Sequence, residues 1–115
     1  GERRIIPITG GTFTGPRMRG KVLPGGADRQ LIRTNGAREL RALYELQTDD
    51  GALITVDNRV LIHQQAGGRY AFSNVFLTAP EETYGWINLS TYVGTLDSVS
   101  PTINTGPLIR VYRLL

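Results

Sequence analysis

The stretch ALITVDNRVLIH, residues 52–63, decides the fold class of this chain of 115 residues. Its apolar side chains recur at every second position, which is the side-chain period of a β-strand and not of a helix. One face of the predicted strand therefore carries Ile54, Val56, Val60 and Ile62. Asn58 interrupts this apolar face, and an amide placed there has to find hydrogen bonds.

The preceding segment, ARELRALYELQT (residues 37–48), fits two periods. Its even-numbered residues from Leu40 to Leu46 alternate as a strand face, whereas the spacing of its leucines also suits a helix. Most of these residues are good helix formers, so local propensity favours the helix. We nevertheless predict a strand, because turn signals bound the segment, Asn-Gly at 35–36 and Asp-Asp-Gly at 49–51.

Glycines and prolines divide the rest of the chain into short segments, most of which show the period of a strand. About eight strands in a chain of this length predict one all-β domain, residues 1–115, built as an antiparallel β-barrel. A β-sandwich is the alternative. The other predicted strands are RRIIPITG (3–10), MRGKVLPG (18–25), residues 28–34, RYAFSNVFLT (69–78), YGWINLSTYVGT (84–95) and LIRVYRLL (108–115), with glycine-rich bends in GGTFTGP (10–16) and a loop over LDSVSPTINTGP (96–107).

The predicted strand YGWINLSTYVGT places aromatic rings and polar groups on one face, namely Tyr84, Trp86, Asn88, Ser90 and Tyr92. Such a face is a poor dry core, because every buried amide and hydroxyl needs a partner. A barrel of about eight strands is wide enough to hold one small ligand, and rings with a few polar groups are a suitable wall for it. The same face would equally suit contact with solvent or with another subunit.

Charge and composition exclude several classes of partner and cofactor. The 13 basic residues, all arginine except Lys21, are spread along the chain without forming a block, so we expect no nucleic-acid partner. The absence of cysteine excludes disulfides, thiolate nucleophiles and cysteine-type zinc sites. His63 is the single histidine, and no acids cluster at ligand spacing, so we expect neither a metal nor another cofactor.

The sequence also bears on location. No apolar run approaches the roughly 20 residues that span a bilayer, and we expect no membrane partner. The start GERRII lacks the apolar core of a signal peptide, and we expect a cytoplasmic protein. Because the chain begins with glycine and not with methionine, we expect that residues preceding it were removed or left out.

Several longer stretches resemble one protein family. GERRIIPITGGTFTGPRMRGKVLPGGAD (1–28), TDDGALITVDNR (48–59), YGWINLSTYVGT (84–95) and IRVYR (109–113) are similar, in this order, to the DUF3237 family, also called UPF0311, of small bacterial and fungal proteins. The resemblance runs over nearly the whole chain. It implies an antiparallel β-barrel that is often an oligomer, and for most members no established activity.

The chain also departs from the family pattern. Members usually carry an extra strand before the GERR stretch and a longer segment between the positions of His63 and Tyr84. Without that strand a barrel edge is unpaired, which favours a homo-oligomer or a further N-terminal strand from another chain as partner. The position after PGGAD, usually tryptophan, is Arg29, so we expect a pocket wall of different polarity.

Asp28 is the strongest candidate for chemistry. It follows the flexible Pro24-Gly25-Gly26 and begins a predicted strand, so its carboxylate could project into the barrel. Beside Trp86 or Tyr44 it would be desolvated, which favours the neutral form and suits proton exchange near neutral pH. The alternative is that Asp28 accepts backbone hydrogen bonds and fixes its turn.

The other titratable residues are weaker candidates. Asp49 and Asp50 are adjacent, so on a strand they would point to opposite faces, and Asp-Gly is typical of a hairpin tip. No serine lies in a G-x-S-x-G elbow, and the Gly-Gly pairs lack the strand-to-helix context of a phosphate loop. Arg59 and Arg110 could anchor an anionic or carbonyl group, but we expect them to lie on strand exteriors.

These residues lead to one main hypothesis and two alternatives. The main one is a cofactor-independent enzyme of the cyclase, isomerase or hydro-lyase type, acting on a small, fairly apolar organic molecule in the barrel. Asp28 would transfer the proton, while Tyr44, Asn58 and Asn88 orient polar groups and Trp86 and Tyr92 pack against the carbon skeleton. The alternatives are a barrel that binds a metabolite without changing it and a structural subunit with a filled interior.

Overall fold

The computed structural model describes residues 1–97 and 108–115, and these form nine β-strands and two short helical turns. The strands are one more than predicted, because Gly11–Thr14 in the glycine-rich stretch is also extended. The elements are β1 Glu2–Pro7, β2 Gly11–Thr14, β3 Arg19–Val22, β4 Ala27–Ile32, β5 Arg38–Thr48, β6 Leu53–Gln65, β7 Gly68–Thr78, α1 Glu81–Tyr84, a 3₁₀ helix Gly85–Leu89, β8 Tyr92–Asp97 and β9 Leu108–Arg113.

All described pairings are antiparallel, and the strands follow the order β1-β4-β5-β6-β7-β8-β9. The hairpin of β2 and β3 lies off this path, since β3 pairs with the end of β5 that β4 leaves free. The all-β antiparallel class predicted from the sequence is therefore confirmed. The long strands β5, β6 and β7 form the centre, and β6 runs beside both of the others for most of its length.

The segment 37–48 is a strand, as predicted against its helix propensity. The turn before it is held by the Asn35 side chain, whose Oδ1 accepts a hydrogen bond from the Ala37 amide at 3.0 Å. Gly36 has a φ of 90°, a conformation that favours glycine. Pairing with β4 and β6 on its two sides satisfies the backbone of the segment, so tertiary context overrides local propensity here.

One end of the sheet's inner face is filled with side chains, and we call it the packed end. Its buried cluster lies on β5 to β8 and the two helical turns. Phe13, Met18 and Val22 from the β2–β3 hairpin pack against this cluster from the other side. The buried residues of the packed end are Leu46, Ile54, Val56, Val75, Ala79, Tyr84, Ile87 and Tyr92.

The hairpin tip at residues 49–51 is tied to the packed end by Asp50. The Tyr84 hydroxyl lies 3.0 Å from both carboxylate oxygens of Asp50, and the Thr48 hydroxyl donates to the same carboxylate. These hydrogen bonds hold the pKa of Asp50 below its usual value, and the bond from Thr48 has the largest effect. The tip predicted as a hairpin turn is therefore also an anchor for α1.

The strand predicted over residues 84–95 is wrong for its first half, since only the part from Tyr92 is extended. The chain turns helical after Pro80, with Glu81 and Glu82 in the first turn, where carboxylates are favoured. Tyr84 and Ile87, three residues apart, both point into the packed end, which a helical turn permits and a strand does not. Of the loop predicted over 96–107, residues 98–107 lie outside the described part, while Leu96 and Asp97 belong to β8.

The sheet curls but does not close. Four strands lie between β4 and β9 in the sheet order, yet side chains from both line one cavity. The outer edges of β1 and β9 pair with no other strand in the described ranges. Within those ranges no helix has the length and apolar character needed to cross a membrane.

Candidate functional site

The inner face beyond the packed end lines a cavity of about 550 Å³, which we call the cavity end. This volume lies within the range of roughly 300–1,000 Å³ typical of small-molecule sites. Its lining combines an apolar middle with polar groups at both ends. The lining residues are Asp28, Gln30, Gly36, Arg38, Leu40, Ala42, Asn58, Val60, Ile62, His63, Gln64, Arg69, Leu96 and Ile109.

Asp28 reaches the cavity because the backbone before it passes close to β5. A Cβ at Gly26 would lie 2.6 Å from both the Leu43 carbonyl oxygen and the Tyr44 Cβ, closer than any side chain allows. Gly25 has a φ of 106°, which again favours glycine. The Pro-Gly-Gly stretch therefore lets β4 start tightly against β5 and places Asp28 directly opposite Ala42.

The carboxylate of Asp28 has one partner and one free oxygen. The Gln30 side chain donates a hydrogen bond to Oδ2 at 3.0 Å. Oδ1 is buried and has no hydrogen-bond partner among the described residues. Asp28 therefore does not fix its turn through backbone amides, the alternative considered for it above, because its described partner is the cavity residue Gln30.

Asn58 is the second polar group in this part of the cavity. It is 2% exposed, and its Oδ1 also lacks a partner in the described part of the chain. Ala42 pairs with Asp28 on one side and with Asn58 on the other, so a small side chain separates the two polar ones. Buried acceptors without donors are costly, by about 1–3 kcal/mol each, so this pair favours a ligand that donates hydrogen bonds.

Tyr44 follows Ala42 on the same face of β5 and packs against the cluster of the packed end. Burial raises the pKa of its phenol, so the hydroxyl keeps its proton at physiological pH and can act as a donor. Tyr44 stands at the border between the packed end and the cavity end. The structure thus brings two of the six predicted site residues, Asp28 and Asn58, into the cavity lining, and Tyr44 lies on the same face outside that lining.

The structure places Trp86 and Asn88 in the 3₁₀ helix, outside the cavity lining. The guanidinium of Arg17 lies 4.0 Å from the centre of the Trp86 ring. Asn88 accepts a hydrogen bond from the Ala79 amide and donates to the carbonyl of Ala79 and to Glu81, each at 2.9 Å. Both side chains secure the helical turns against the sheet.

Tyr92 begins β8 and is buried in the packed end. Its hydroxyl donates to the carbonyl of Ile87 at 2.9 Å, which closes the 3₁₀ turn onto the strand. Trp86, Asn88 and Tyr92 were predicted as one strand face, and their separation from the cavity follows from the helical course of residues 81–89.

Gln30 and Arg38 are among the lining residues that the sequence does not single out. Gln30 is two residues beyond Asp28, so the period of a strand places both on one face once Asp28 is taken to face inward. Arg38 begins β5 on the same face as Leu40 and lines the far end of the cavity. Arg29 lies on the opposite, outer face and is exposed, so it does not form the pocket wall that its position suggested.

No group of three or more histidine, cysteine, aspartate or glutamate side chains in residues 1–97 and 108–115 is placed to hold a metal ion. Several acids on the outer face pair with arginines. Asp57 pairs with Arg41 at 2.9 Å and Arg59 at 3.1 Å, and the hydrogen bond from Arg41 is the main cause that lowers the pKa of Asp57. Arg110 pairs with Asp97 at 3.2 Å.

Comparison with known proteins identifies relatives by sequence. A family model described as "Protein of unknown function (DUF3237)" matches residues 1–114. Over 58 residues, half of this chain, the sequence is 57% identical to a UPF0311 protein of Rhodopseudomonas palustris (strain TIE-1), and the match spans 38% of that protein. A UPF0311 protein of Clostridium acetobutylicum is 48% identical over 58 residues, which are 37% of its length.

Solved structures show the same fold. A β-barrel-like protein from Acinetobacter baumannii AYE is similar with a TM-score of 0.88 and 30% identity, covering 98% of this chain and 78% of that one. An enzyme from Penicillium herquei has a TM-score of 0.66 and 28% identity, covering 81% and 63% of the two chains. Because the family model covers the chain almost from end to end, the chain belongs to the DUF3237 family.

Proposed function

We propose that the chain is a cofactor-independent enzyme that moves a proton on a small, fairly apolar organic molecule held in the cavity. The observation that supports this most is the pair of buried, unpartnered acceptor oxygens on Asp28 and Asn58. In an apolar cavity, a carboxylate with one free oxygen is suited to take a proton from a bound C–H or O–H group and to return it. Cyclisation, isomerisation and the addition or elimination of water all proceed by such transfers.

The neighbouring side chains have distinct roles in this proposal. Gln30 holds Oδ2 of Asp28, so the free Oδ1 keeps one orientation toward the cavity. Asn58 orients a polar group of the substrate, and the neutral phenol of Tyr44 is a donor at the border with the packed end. The middle of the cavity, with Leu40, Val60 and Ile62, packs against the carbon skeleton.

The Penicillium herquei structure adds support of a general kind, since that protein is described as an enzyme. The partner predicted from the sequence, a further strand or another copy of the chain, remains a prediction. The bare outer edges of β1 and β9 are where such a strand would pair.

The proposal is tested by proton exchange on a simple ketone. β-Tetralone is bicyclic, apolar and enolisable, and its α-protons exchange in D₂O at a rate that NMR follows directly. We expect the chain to accelerate this exchange and the D28N variant to lose about a hundredfold of the acceleration, as is typical of a missing general base. D49N is the matched control, because Asp49 is exposed and pairs with Arg19 away from the cavity.

A folded D28N variant that retains the full exchange rate would contradict the proposal. Folding is checked by near-ultraviolet circular dichroism and the urea midpoint of each variant. If the wild type binds β-tetralone but does not accelerate exchange, the second candidate is favoured, a barrel that binds a metabolite without changing it. The hydrogen bond from Gln30 supports that candidate, since it fixes the orientation of the Asp28 carboxyl group and leaves its Oδ1 as an acceptor for a ligand.

A further inference from the structure

The cavity itself differs in chemistry between its two extremities, one at Asp28 and Asn58 and the other at Arg38. Along β5, Ala42 lies between Asp28 and Asn58, and Arg38 lies four residues away on the same face, roughly 13 Å at the rise of a β-strand. Apart from Gln30, which lies opposite Leu40 and donates a hydrogen bond to Asp28, the side chains between these points are apolar. They are Leu40, Val60, Ile62, Leu96 and Ile109.

Arg38 supplies a positive charge at the end of the cavity opposite Asp28. It is exposed at the rim, and no described residue forms an ion pair, a hydrogen bond or a ring contact with it. The neighbouring rim side chains, His63, Gln64 and Arg69, can also donate hydrogen bonds. Besides Arg38 and Arg69, the inner face carries Arg4 and Arg113. Neither lines the cavity, and Arg4 pairs with Glu2.

We infer that the cavity takes an amphipathic organic acid lengthwise, with its carboxylate at Arg38 and a hydroxyl or enolisable group at Asp28 and Asn58. The guanidinium of arginine presents a planar set of donors that matches a carboxylate. A carboxylate at the opposite end would instead lie against the Asp28 carboxylate and the unpartnered Oδ1 of Asn58, so that orientation is disfavoured. The separation of the ends favours a substrate with an apolar skeleton between its two polar groups.

This inference names the substrate class and rests on the proposed function for what happens at the Asp28 end. The binding preference at the Arg38 end is independent of any catalysis. It can therefore be tested with a ligand pair of equal skeleton and different charge. Octanoate and 1-octanol serve as probes, each titrated into the full chain and followed by NMR or calorimetry.

We expect wild type to bind octanoate about fivefold more tightly than 1-octanol, the low end for a charged hydrogen bond that stays partly solvated. The R38Q variant should lose this preference while its affinity for 1-octanol is unchanged. R29Q, which removes an exposed arginine from the outer face, should keep the preference of wild type. Equal binding of both probes by wild type, or a preference that survives in R38Q, would overturn the inference.

The D28N variant separates this inference from the proposed function. D28N should still bind octanoate more tightly than 1-octanol, because Arg38 at the other end of the cavity is unchanged, and it should lose the exchange activity on β-tetralone. If D28N loses the exchange activity and still prefers octanoate, the result supports both the proposed function and the inference. A preference that depends on Asp28 and not on Arg38 would place the carboxylate at the wrong end and contradict the inference.

Discussion

The packed end and the cavity end are built by the same strands, yet one is filled with side chains, whereas the other has a small buried cluster of Leu40, Val60, Ile62 and Ala71 beside an open cavity. On β6, Ile54 and Val56 lie in the packed end, and Val60 and Ile62 face the cavity from the same side of the strand. The difference comes from what lies over the strand. The β2–β3 hairpin and the helical turns cover the packed end, whereas no described element covers the cavity end.

Polar residues follow the same division. In the packed end the inward polar groups are paired, as the Tyr92 hydroxyl is with the Ile87 carbonyl. In the cavity end the buried oxygens of Asp28 and Asn58 lack partners in the described residues. The packed end is therefore where stability is concentrated, and the cavity end is where unsatisfied groups are kept for a ligand.

The largest expected effect compares Ile54 and Ile62, two isoleucines on the same face of β6. Ile54 is 0% exposed in the packed end, whereas Ile62 is 7% exposed and already borders empty space. We expect I54A to lower the free energy of unfolding by about 4 kcal/mol and I62A by about 2 kcal/mol, because a new cavity is costly only where packing was tight. Urea denaturation measures both. Equal losses would remove the distinction between the two ends.

A smaller effect of opposite sign is expected at Asn58. Replacing it by leucine removes a buried acceptor without a partner and keeps a side chain of similar size. We expect N58L to raise the free energy of unfolding by about 1 kcal/mol while weakening ligand binding. N74L is the control, since Asn74 is exposed on the outer face, and it should change neither quantity. A destabilised N58L variant would show that the amide contributes to stability as the paired groups of the packed end do.

The smallest effect is the pH dependence of the Asp50 anchor. Its folded pKa lies below the unfolded value of about 3.9, so its contribution to stability is complete above that pH and is lost as pH falls through the folded pKa. Y84F removes one of the two hydroxyl donors and should lower the melting temperature by a few degrees at pH 7. Its melting curve should approach that of wild type as the pH falls through the folded pKa of Asp50, because the folded carboxylate is then protonated as well.

The control for this measurement is Y112F, because Tyr112 is exposed on β9 and contacts no acid among the described residues. Its difference from wild type should be the same at every pH. A Y84F difference that stays constant as the pH falls would mean that the Tyr84 hydroxyl stabilises the fold independently of the charge on Asp50, and no difference at any pH would mean that Tyr84 acts only through its ring.

The strands could be predicted from the sequence where one signal dominated. The alternation of residues 52–63 gives β6 and its buried face, and the Asn-Gly and Asp-Asp-Gly turns are sufficient to reject a helix at residues 37–48. The helical turn after Pro80 does not follow from the pattern, because the alternation over residues 84–95 is a stronger signal than the helix start Pro-Glu-Glu at residues 80–82.

The site could be predicted only in part. Asp28 and Asn58 can be predicted because each differs from its local surroundings. Asp28 is an acid that follows a flexible Pro-Gly-Gly stretch, and Asn58 is an amide on an otherwise apolar strand face. Arg38 could not be found in this way, since an arginine at the start of a strand is ordinary. Its place beside the cavity depends on the curl of the sheet and on the register of β5 with β6, which no local pattern contains.

The uninterrupted course of β6 has a consequence for how the sequence can change. Side chains alternate between the two faces of β6, so inserting or deleting one residue in the turn at 49–51 would exchange its inner and outer faces. Asp57 and Arg59 would then face the cavity in place of Asn58 and Val60. Changes of two residues would preserve the faces but slide the wall by roughly 6.6 Å along the sheet. The length of a distant hairpin tip is thus part of the specificity of the binding site, and we expect it to vary only in even steps.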